Sequence, residues 1–194
     1  MQRGYPLSLN LLNRACLVVG SGVEAPLRTR SLLEAGARVT VVGQPLSDAL
    51  LQLAAEPRLK LEQRAFQDSD LEGVWLVVQA DQNTELASRL GQLCEARGTF
   101  FCAIDQPEHS SYAHMALARA GSLTFAIGTE GRAPALGRRL REELTRLLEE
   151  SHAAEQVERL AALRESTPAA ERRQVLSAAV QGVHFTGKLR FEED

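Results

Sequence analysis

Residues 16–42 read CLVVGSGVEAPLRTRSLLEAGARVTVV, and this stretch decides the fold that the sequence predicts. An apolar run rich in valine ends at Gly20, as expected for a strand that is buried on both faces. A helical pattern extends from Pro26 to Gly36, and a second strand pattern follows over residues 37–42. The segment is therefore predicted to fold as strand, glycine turn, helix and strand.

The turn fits the dinucleotide-binding pattern G-x-G-x-x-[GA]. Gly20 permits a tight turn, Gly22 has no Cβ to obstruct a pyrophosphate, and Ala25 lets the helix pack close to the strand. Pro26 is tolerated because an amide in the first helical turn has no intrahelical partner. The free N–H groups at the helix start favour a phosphate. The alternative is a glycine turn that holds no ligand.

Two features count against tight binding of a dinucleotide. Glu24 brings a carboxylate close to the phosphates, so its side chain must point away from them. The second strand is not followed by the usual acidic residue that binds ribose, although Gln44 could form this hydrogen bond. Gln44 does not distinguish NAD from NADP. The predicted cofactor-binding residues are Gly20, Ser21, Gly22, Val23, Glu24, Gln44, Pro45 and Asp81.

Strand and helix patterns continue to alternate up to about residue 105, which predicts right-handed crossovers and a parallel sheet. Further on, residues 106–121 are predicted to form a loop and a short helix, and residues 122–131 a strand that runs into glycines. Residues 133–166 have a helical pattern with a break near Glu150, and a last helix is predicted over residues 169–183.

Composition excludes several classes of protein. The chain has 194 residues, 44% of them hydrophobic and 24% charged, which is a globular balance, and a net charge of −3, which does not indicate nucleic-acid binding. No apolar run reaches the length of about 18 residues that a membrane span needs. The N-terminus does not resemble a signal peptide, so a cytoplasmic protein is expected. The cysteines at 16, 94 and 102 form no metal-binding spacing.

Four segments occur in a specific order: YPLSLNLLNRACLVVGSG, LLEAGARVTVV, CAID and FAIGTEGRAPALGRRLREEL. With them the sequence resembles the precorrin-2 dehydrogenase family, the dehydrogenase/ferrochelatase module of siroheme synthases, over about residues 5–150. The most specific element is the pairing of the glycine turn with the later segment G-x-x-G-x-x-P-x-L-x-R-x-L-R-E. A single glycine turn of this kind is common, whereas a glycine turn followed by this later segment in one short chain is not.

The resemblance implies an α/β fold. A Rossmann-like parallel sheet over residues 1–113 would be followed by a dimerisation segment over 114–146 and a small helical C-terminal domain over 147–194. It also implies a homodimer that oxidises precorrin-2 to sirohydrochlorin with NAD in siroheme biosynthesis. Many members of the family insert Fe²⁺ as well, which leaves chelation of Fe²⁺ or Co²⁺ open as a second activity.

The resemblance assigns the catalytic role to Asp105, the last residue of CAID. A carboxylate at the carboxyl end of a parallel strand could accept a proton from a pyrrole or a ring carbon. Alternatively, Asp105 only starts the turn into Gln106 and Pro107.

The predicted substrate-binding residues are Thr129, Gly131, Arg132 and His114. Thr129 matches a family position that usually holds Ser or Thr, and the loop before the next helix could receive the substrate's carboxylates. The arginines at 138, 139 and 141 are instead expected on a solvated helix face with neighbouring glutamates. His109 and His114 could hold a metal ion in transit or simply make surface hydrogen bonds. No resident metal site is predicted.

The chain departs from the family pattern around the expected cofactor. Ser21, Glu24 and Leu27 replace the usual residues of the turn. After the fourth strand the family reads A-A-T-D-D, whereas residues 79–83 read QADQN. An alternative function is therefore a divergent, non-redox relative that binds NAD weakly and acts as a sirohydrochlorin metal chelatase or tetrapyrrole-binding protein. A third is a nucleotide-sensing regulatory subunit.

Overall fold

A computed structural model describes residues 4–186 of the chain. Five strands pair in parallel in the order β3-β2-β1-β4-β5, which is the order of the first five strands of a Rossmann fold. The predicted Rossmann-like α/β fold is confirmed. The strands are β1 (Ala15–Val19), β2 (Arg38–Val42), β3 (Leu59–Glu62), β4 (Leu76–Gln79) and β5 (Phe100–Ala103).

Three helices connect these strands: α1 (Glu24–Glu34), α2 (Asp48–Leu51) and α3 (Thr84–Arg97). Local sequence sets the ends of α3. The Asn83 side chain accepts a hydrogen bond from the Leu86 N–H at 3.0 Å, and Gly98 ends the helix in the left-handed conformation at φ 65°. Short 3-10 turns occur at Asp68–Leu71 and Pro107–His109.

The sheet is covered on both faces, which explains why its central strands are apolar throughout. Residues that alternate along β1 enter two separate hydrophobic clusters. Val18 packs with Leu32 and Leu33 of α1, whereas Leu17 packs with Leu90 of α3 and Phe101 of β5. The helices α1 and α3 therefore lie on opposite faces of the sheet.

The second part of the chain contains a hairpin and three helices. The antiparallel strands β6 (Ala116–Ala120) and β7 (Leu123–Ile127) are followed by α4 (Pro134–Glu150), α5 (Ala153–Ser166) and α6 (Arg172–Ala179). The predicted helix break near Glu150 is confirmed. At the break, His152 adopts a left-handed conformation with φ 52°.

The predicted loop and short helix over residues 106–121 are wrong for residues 116–120. Alanine, leucine and arginine favour a helix there, but β6 instead pairs with β7 along its whole length. Gly121 makes the tight connection possible, because it adopts a left-handed φ of 56°.

The contacts divide the chain into two compact units. One contains the described residues up to His114 together with Glu130–Arg132, and the other contains Met115–Thr129 and the described residues from Ala133 onward. The predicted division at residues 113 and 146 stays a prediction, and residues 187–194 of the proposed helical domain lie outside the described residues. Within residues 4–186, no helix is long and apolar enough to cross a membrane.

Candidate active site

The candidate site lies at the carboxyl edge of the parallel sheet. Strand β1 lies between β2 and β4 in the sheet. The chain first adds strands on the β2 side of β1 and then on the β4 side, so the topological switch point lies between β1 and β4. Ligands of open parallel sheets bind at such a switch point. Here it brings together the glycine turn that follows β1 and the segment Ala80–Asn83 that follows β4.

Glycines hold the turn close to its neighbours. Gly20 has a φ of 107°, and its N–H donates to the carbonyl of Val42 at 2.8 Å. A Cβ on Gly43 would lie 2.9 Å from the carbonyl carbon of Gly20, so this glycine is needed beneath the turn. The sequence interpretation assigned no role to Gly43, although its place directly after the second strand is the signal for such a close approach.

The Asp81 side chain contacts the turn directly. Its carboxylate accepts hydrogen bonds from the Gly22 N–H at 2.8 Å and from the Ser21 N–H at 3.2 and 3.3 Å. A Cβ on Gly20 would lie 2.5 Å from the Asp81 Cγ, and one on Gly22 would lie 2.7 Å from its Oδ1. The absence of a Cβ on both glycines of the motif thus leaves room for this contact within the folded chain.

The same contact shows what the turn can bind. The carboxylate oxygens of Asp81 stand in for anionic oxygens of a ligand, and two consecutive backbone N–H groups face them. Backbone N–H groups at a glycine turn before a helix are the donors that bind pyrophosphate in dinucleotide-binding proteins. The turn therefore has the donor set that a dinucleotide phosphate needs.

A buried glutamine holds the segment that carries Asp81. Gln79 is fully buried at the end of β4, and its Nε2 donates to the carbonyls of Asp81 at 3.2 Å and Asn83 at 2.8 Å. The Gln79 Oε1 has no hydrogen-bond partner in the described part of the chain. The sequence interpretation did not identify this residue, because a single glutamine at a strand end carries no motif.

The Glu24 carboxylate, expected to interfere with phosphate, has a partner on its own helix. Arg28, one turn further along α1, donates to its Oε2 at 2.7 Å. This ion pair offsets the negative charge of Glu24 at the start of α1. It also gives the carboxylate a partner on its own helix rather than at the expected phosphate position. Val23 is 88% exposed, and Gln44 and Pro45 are exposed directly after β2. Their contact with a cofactor stays a prediction.

Asp105 follows β5 at the same edge of the sheet. It is exposed and has a φ of 59°, a left-handed conformation that aspartate and asparagine adopt more readily than most residues. The Ser110 hydroxyl shapes this loop, since it donates to the Gln106 carbonyl at 3.0 Å. Within residues 4–186 the Asp105 carboxylate makes no hydrogen bond, and the residue is exposed to solvent.

His114 is neutral at pH 7. Its ring packs edge-on against that of Tyr112, with centroids 5.2 Å apart. Although part of the residue is exposed, desolvation of the ring and then the charge of Arg28 lower the pKa of His114 to about 4. His114 can therefore offer a hydrogen bond to a substrate, but not a positive charge.

A loop precedes α4, as the sequence predicted. Glu130 and Gly131 both adopt left-handed conformations, with φ of 53° and 75°. The Thr129 Oγ1 accepts a hydrogen bond from the Ala133 N–H at 3.4 Å, which closes the loop before the helix begins at Pro134. Substrate binding by Thr129 and Gly131 stays a prediction.

The arginines near this loop differ in their ion pairs. Arg139 pairs with Glu142 and Glu143, and Arg141 also contacts Glu142, as expected for a solvated helix face. Arg132 is exposed and forms no ion pair with another residue of the described range. Its side chain is thus available for the predicted contact with substrate carboxylates.

Among the described residues, no group of three or more His, Cys, Asp or Glu side chains is arranged to hold a metal ion. The nearest acidic contact of His109 is Glu108, at 3.7 Å from its Nε2. The three cysteines are free and buried, and burial raises the pKa of both Cys16 and Cys94 to about 11. These thiols are therefore uncharged at neutral pH.

Comparison with known proteins agrees with the geometry of the turn. Residues 7–116 match a family model described as "Putative NAD(P)-binding". The chain belongs to this NAD(P)-binding family. The matched range contains the glycine turn, the segment carrying Asp81, and Asp105.

The chain is also similar to siroheme synthases. It is 36% identical over 143 residues to siroheme synthase 1 of Aeromonas salmonicida and 34% identical over 143 residues to siroheme synthase of Escherichia coli. Each match covers 74% of the chain and 31% of the relative, so the chain spans about a third of the length of these proteins.

A solved structure, titled "SirC, precorrin-2 dehydrogenase", has the same fold. It superposes with a TM-score of 0.78 over 92% of this chain and 90% of its own, at 23% sequence identity. The resemblance inferred from the sequence motifs is confirmed, because the relatives that the chain matches are named siroheme synthases, and the solved structure shares its fold.

Replacing Gly20 by alanine is expected to destabilise the first unit by about 1–3 kcal/mol, because the residue would be held at a strained positive φ. The new Cβ would also displace the Asp81 carboxylate. Urea denaturation measures the change. Ser21→Ala is the matched control, since only the Ser21 backbone N–H contacts Asp81, and it should change stability by less than about 0.5 kcal/mol. Equal stability of both variants would contradict the assigned geometry.

Proposed function

We propose that this chain oxidises precorrin-2 to sirohydrochlorin with NAD⁺, as a step in siroheme biosynthesis. One observation carries the proposal: an anion-binding glycine turn and the accessible carboxylate of Asp105 follow strands of one parallel sheet at the same edge. The similarity to proteins named siroheme synthase and precorrin-2 dehydrogenase supplies the substrate class.

The N–H groups of Ser21 and Gly22 would bind the cofactor's phosphates, and the exposed Gln44 would bind a ribose hydroxyl. When bound, NAD⁺ accepts the hydride that the oxidation removes from the substrate. The chain itself would orient the cofactor and the substrate and accept the proton that the substrate loses.

Asp105 is the proposed catalytic base. Its carboxylate is unpaired within residues 4–186 and would accept the proton that the substrate loses as its ring system becomes more conjugated. The substrate carboxylates would bind at Thr129, Gly131 and Arg132. Of these three residues, Arg132 carries the positive charge. His114, neutral at pH 7, would add a hydrogen bond without charge.

The contact of Asp81 with the turn favours a second candidate function. If that carboxylate keeps the turn occupied, the chain would insert Fe²⁺ or Co²⁺ as a substrate into sirohydrochlorin without using NAD⁺. Asp105 would then remove protons from the pyrrole nitrogens. Incubating the protein with sirohydrochlorin and Co²⁺, without a nucleotide, distinguishes this activity from the dehydrogenase reaction.

A second copy of this chain is the proposed partner of residues 114–146. The hairpin of β6 and β7 is a two-stranded sheet, and in the described chain neither strand has a second neighbour. Such sheets are marginal alone, and their open edges accept further strands. Leu117 on β6 is also 38% exposed.

Sedimentation equilibrium tests this assembly. The expected mass is twice the 21.2 kDa of one chain, and a mass of one chain at tens of micromolar protein would contradict the dimer. The free, buried cysteines further support a reducing compartment, and we propose the cytoplasm as the location.

Asp105→Asn is expected to lower kcat for precorrin-2 oxidation by about 10²–10⁴-fold, because asparagine cannot accept the proton. Asparagine is the sharper replacement than alanine, since it also tolerates the left-handed φ of 59°. Turnover is followed by absorbance under anaerobic conditions. The affinity for NAD⁺ and the melting temperature should be unchanged.

Glu108→Gln is the matched control, because it removes the same charge from an exposed side chain in the same loop. It should retain turnover close to that of the wild type. If Asp105→Asn also retains such turnover, Asp105 is a turn residue and the proposed base is wrong.

A further inference from the structure

We propose that Asp81 is a built-in competitor of the cofactor: its carboxylate occupies the turn's anion-binding N–H groups and lowers their affinity for the phosphates of NAD⁺. The inference rests on the proposed function, since it concerns the same site. It assigns to Asp81 a role in lowering the affinity for the cofactor, whereas the sequence indicated only a residue that binds it.

The first argument is that one set of donors serves two anions. The Gly22 N–H is 2.8 Å from Asp81 Oδ1, and the Ser21 N–H is shared between both oxygens. The lack of a Cβ on Gly20 and Gly22, which normally admits a pyrophosphate, here admits the carboxylate. A phosphate oxygen cannot accept these hydrogen bonds until the carboxylate moves away.

The second argument is that the fold holds Asp81 in this position. Gln79, fully buried, donates to the backbone carbonyls of Asp81 and Asn83, and the Ala80 N–H donates to the Val19 carbonyl at 2.8 Å. The segment is therefore anchored before and after the Asp81 side chain. Asn83 is in turn fixed as the N-cap of α3. The carboxylate therefore reaches the turn from a rigid backbone, and its removal requires only a side-chain rotation.

The third argument concerns charge. Hydrogen bonds from N–H groups to a carboxylate are stronger than those to a neutral acceptor, and a phosphate that approaches Asp81 also meets like charge. The nearby Glu24 is paired with Arg28, so it does not repel the ligand in the same way. Asp81 is thus the acidic side chain that contacts the turn among the described residues.

Asp81→Asn tests the inference, because asparagine keeps the shape and removes the charge. Isothermal titration calorimetry with NAD⁺ should give a Kd about tenfold or more lower than that of the wild-type chain. Inorganic pyrophosphate, the second probe, should raise the melting temperature of the variant more than that of the wild type. Asp81→Thr, which introduces the residue typical of the family pattern, should bind NAD⁺ as tightly as Asp81→Asn. Agreement between the two variants shows that the effect does not come from a folding defect of one of them.

Asp68→Asn is the matched control. Asp68 is an exposed aspartate that precedes β4 and pairs with Arg89 at 2.7 Å, so its replacement changes the net charge equally without touching the turn. Its Kd for NAD⁺ should equal that of the wild type. A similar gain in affinity for NAD⁺ in this control would mean that the net charge of the chain, and not the contact of Asp81 with the turn, limits binding. That result would overturn the inference.

The remaining outcomes separate the inference from the proposed function. If the wild type binds NAD⁺ and both Asp81 variants bind it equally or more weakly, Asp81 is neutral or a cofactor ligand, and only the inference fails. If neither the wild type nor the variants bind NAD⁺ up to millimolar concentration, the dehydrogenase function fails, and the inference fails with it.

Discussion

Parallel pairing of β1 with both β2 and β4 is the constraint on which the rest of the site depends. It places the ends of β1 and β4 side by side, so the glycine turn and the Asp81 segment must share one small space. Gly20, Gly22 and Gly43 leave that space open, because a Cβ on any of them would clash with a neighbour. The two apolar clusters on either face of the sheet hold this arrangement together.

The parallel sheet and the glycine turn could be predicted from sequence because their signals are local. Continuous apolar runs marked the strands, and glycine spacing after the first strand marked the turn. Asp105 could be placed at the carboxyl edge for the same reason, since it closes the last parallel strand.

Contacts between distant segments could not be predicted. Asp81 lies about 60 residues from the turn that it contacts, and no spacing rule links its carboxylate to the N–H groups of Ser21 and Gly22. The strand β6 was missed for a related reason, because its helix-favouring residues are overridden by pairing with β7. In both cases tertiary partners, rather than local preference, decide the outcome.

The most direct test of the central claim is an anaerobic absorbance assay of the full chain with precorrin-2, with and without NAD⁺. The account predicts that sirohydrochlorin forms only when NAD⁺ is present, with one NADH produced for each molecule of product. Formation of sirohydrochlorin at the same rate without NAD⁺, or no turnover above the buffer rate with it, would contradict the claim that this turn serves a dehydrogenase.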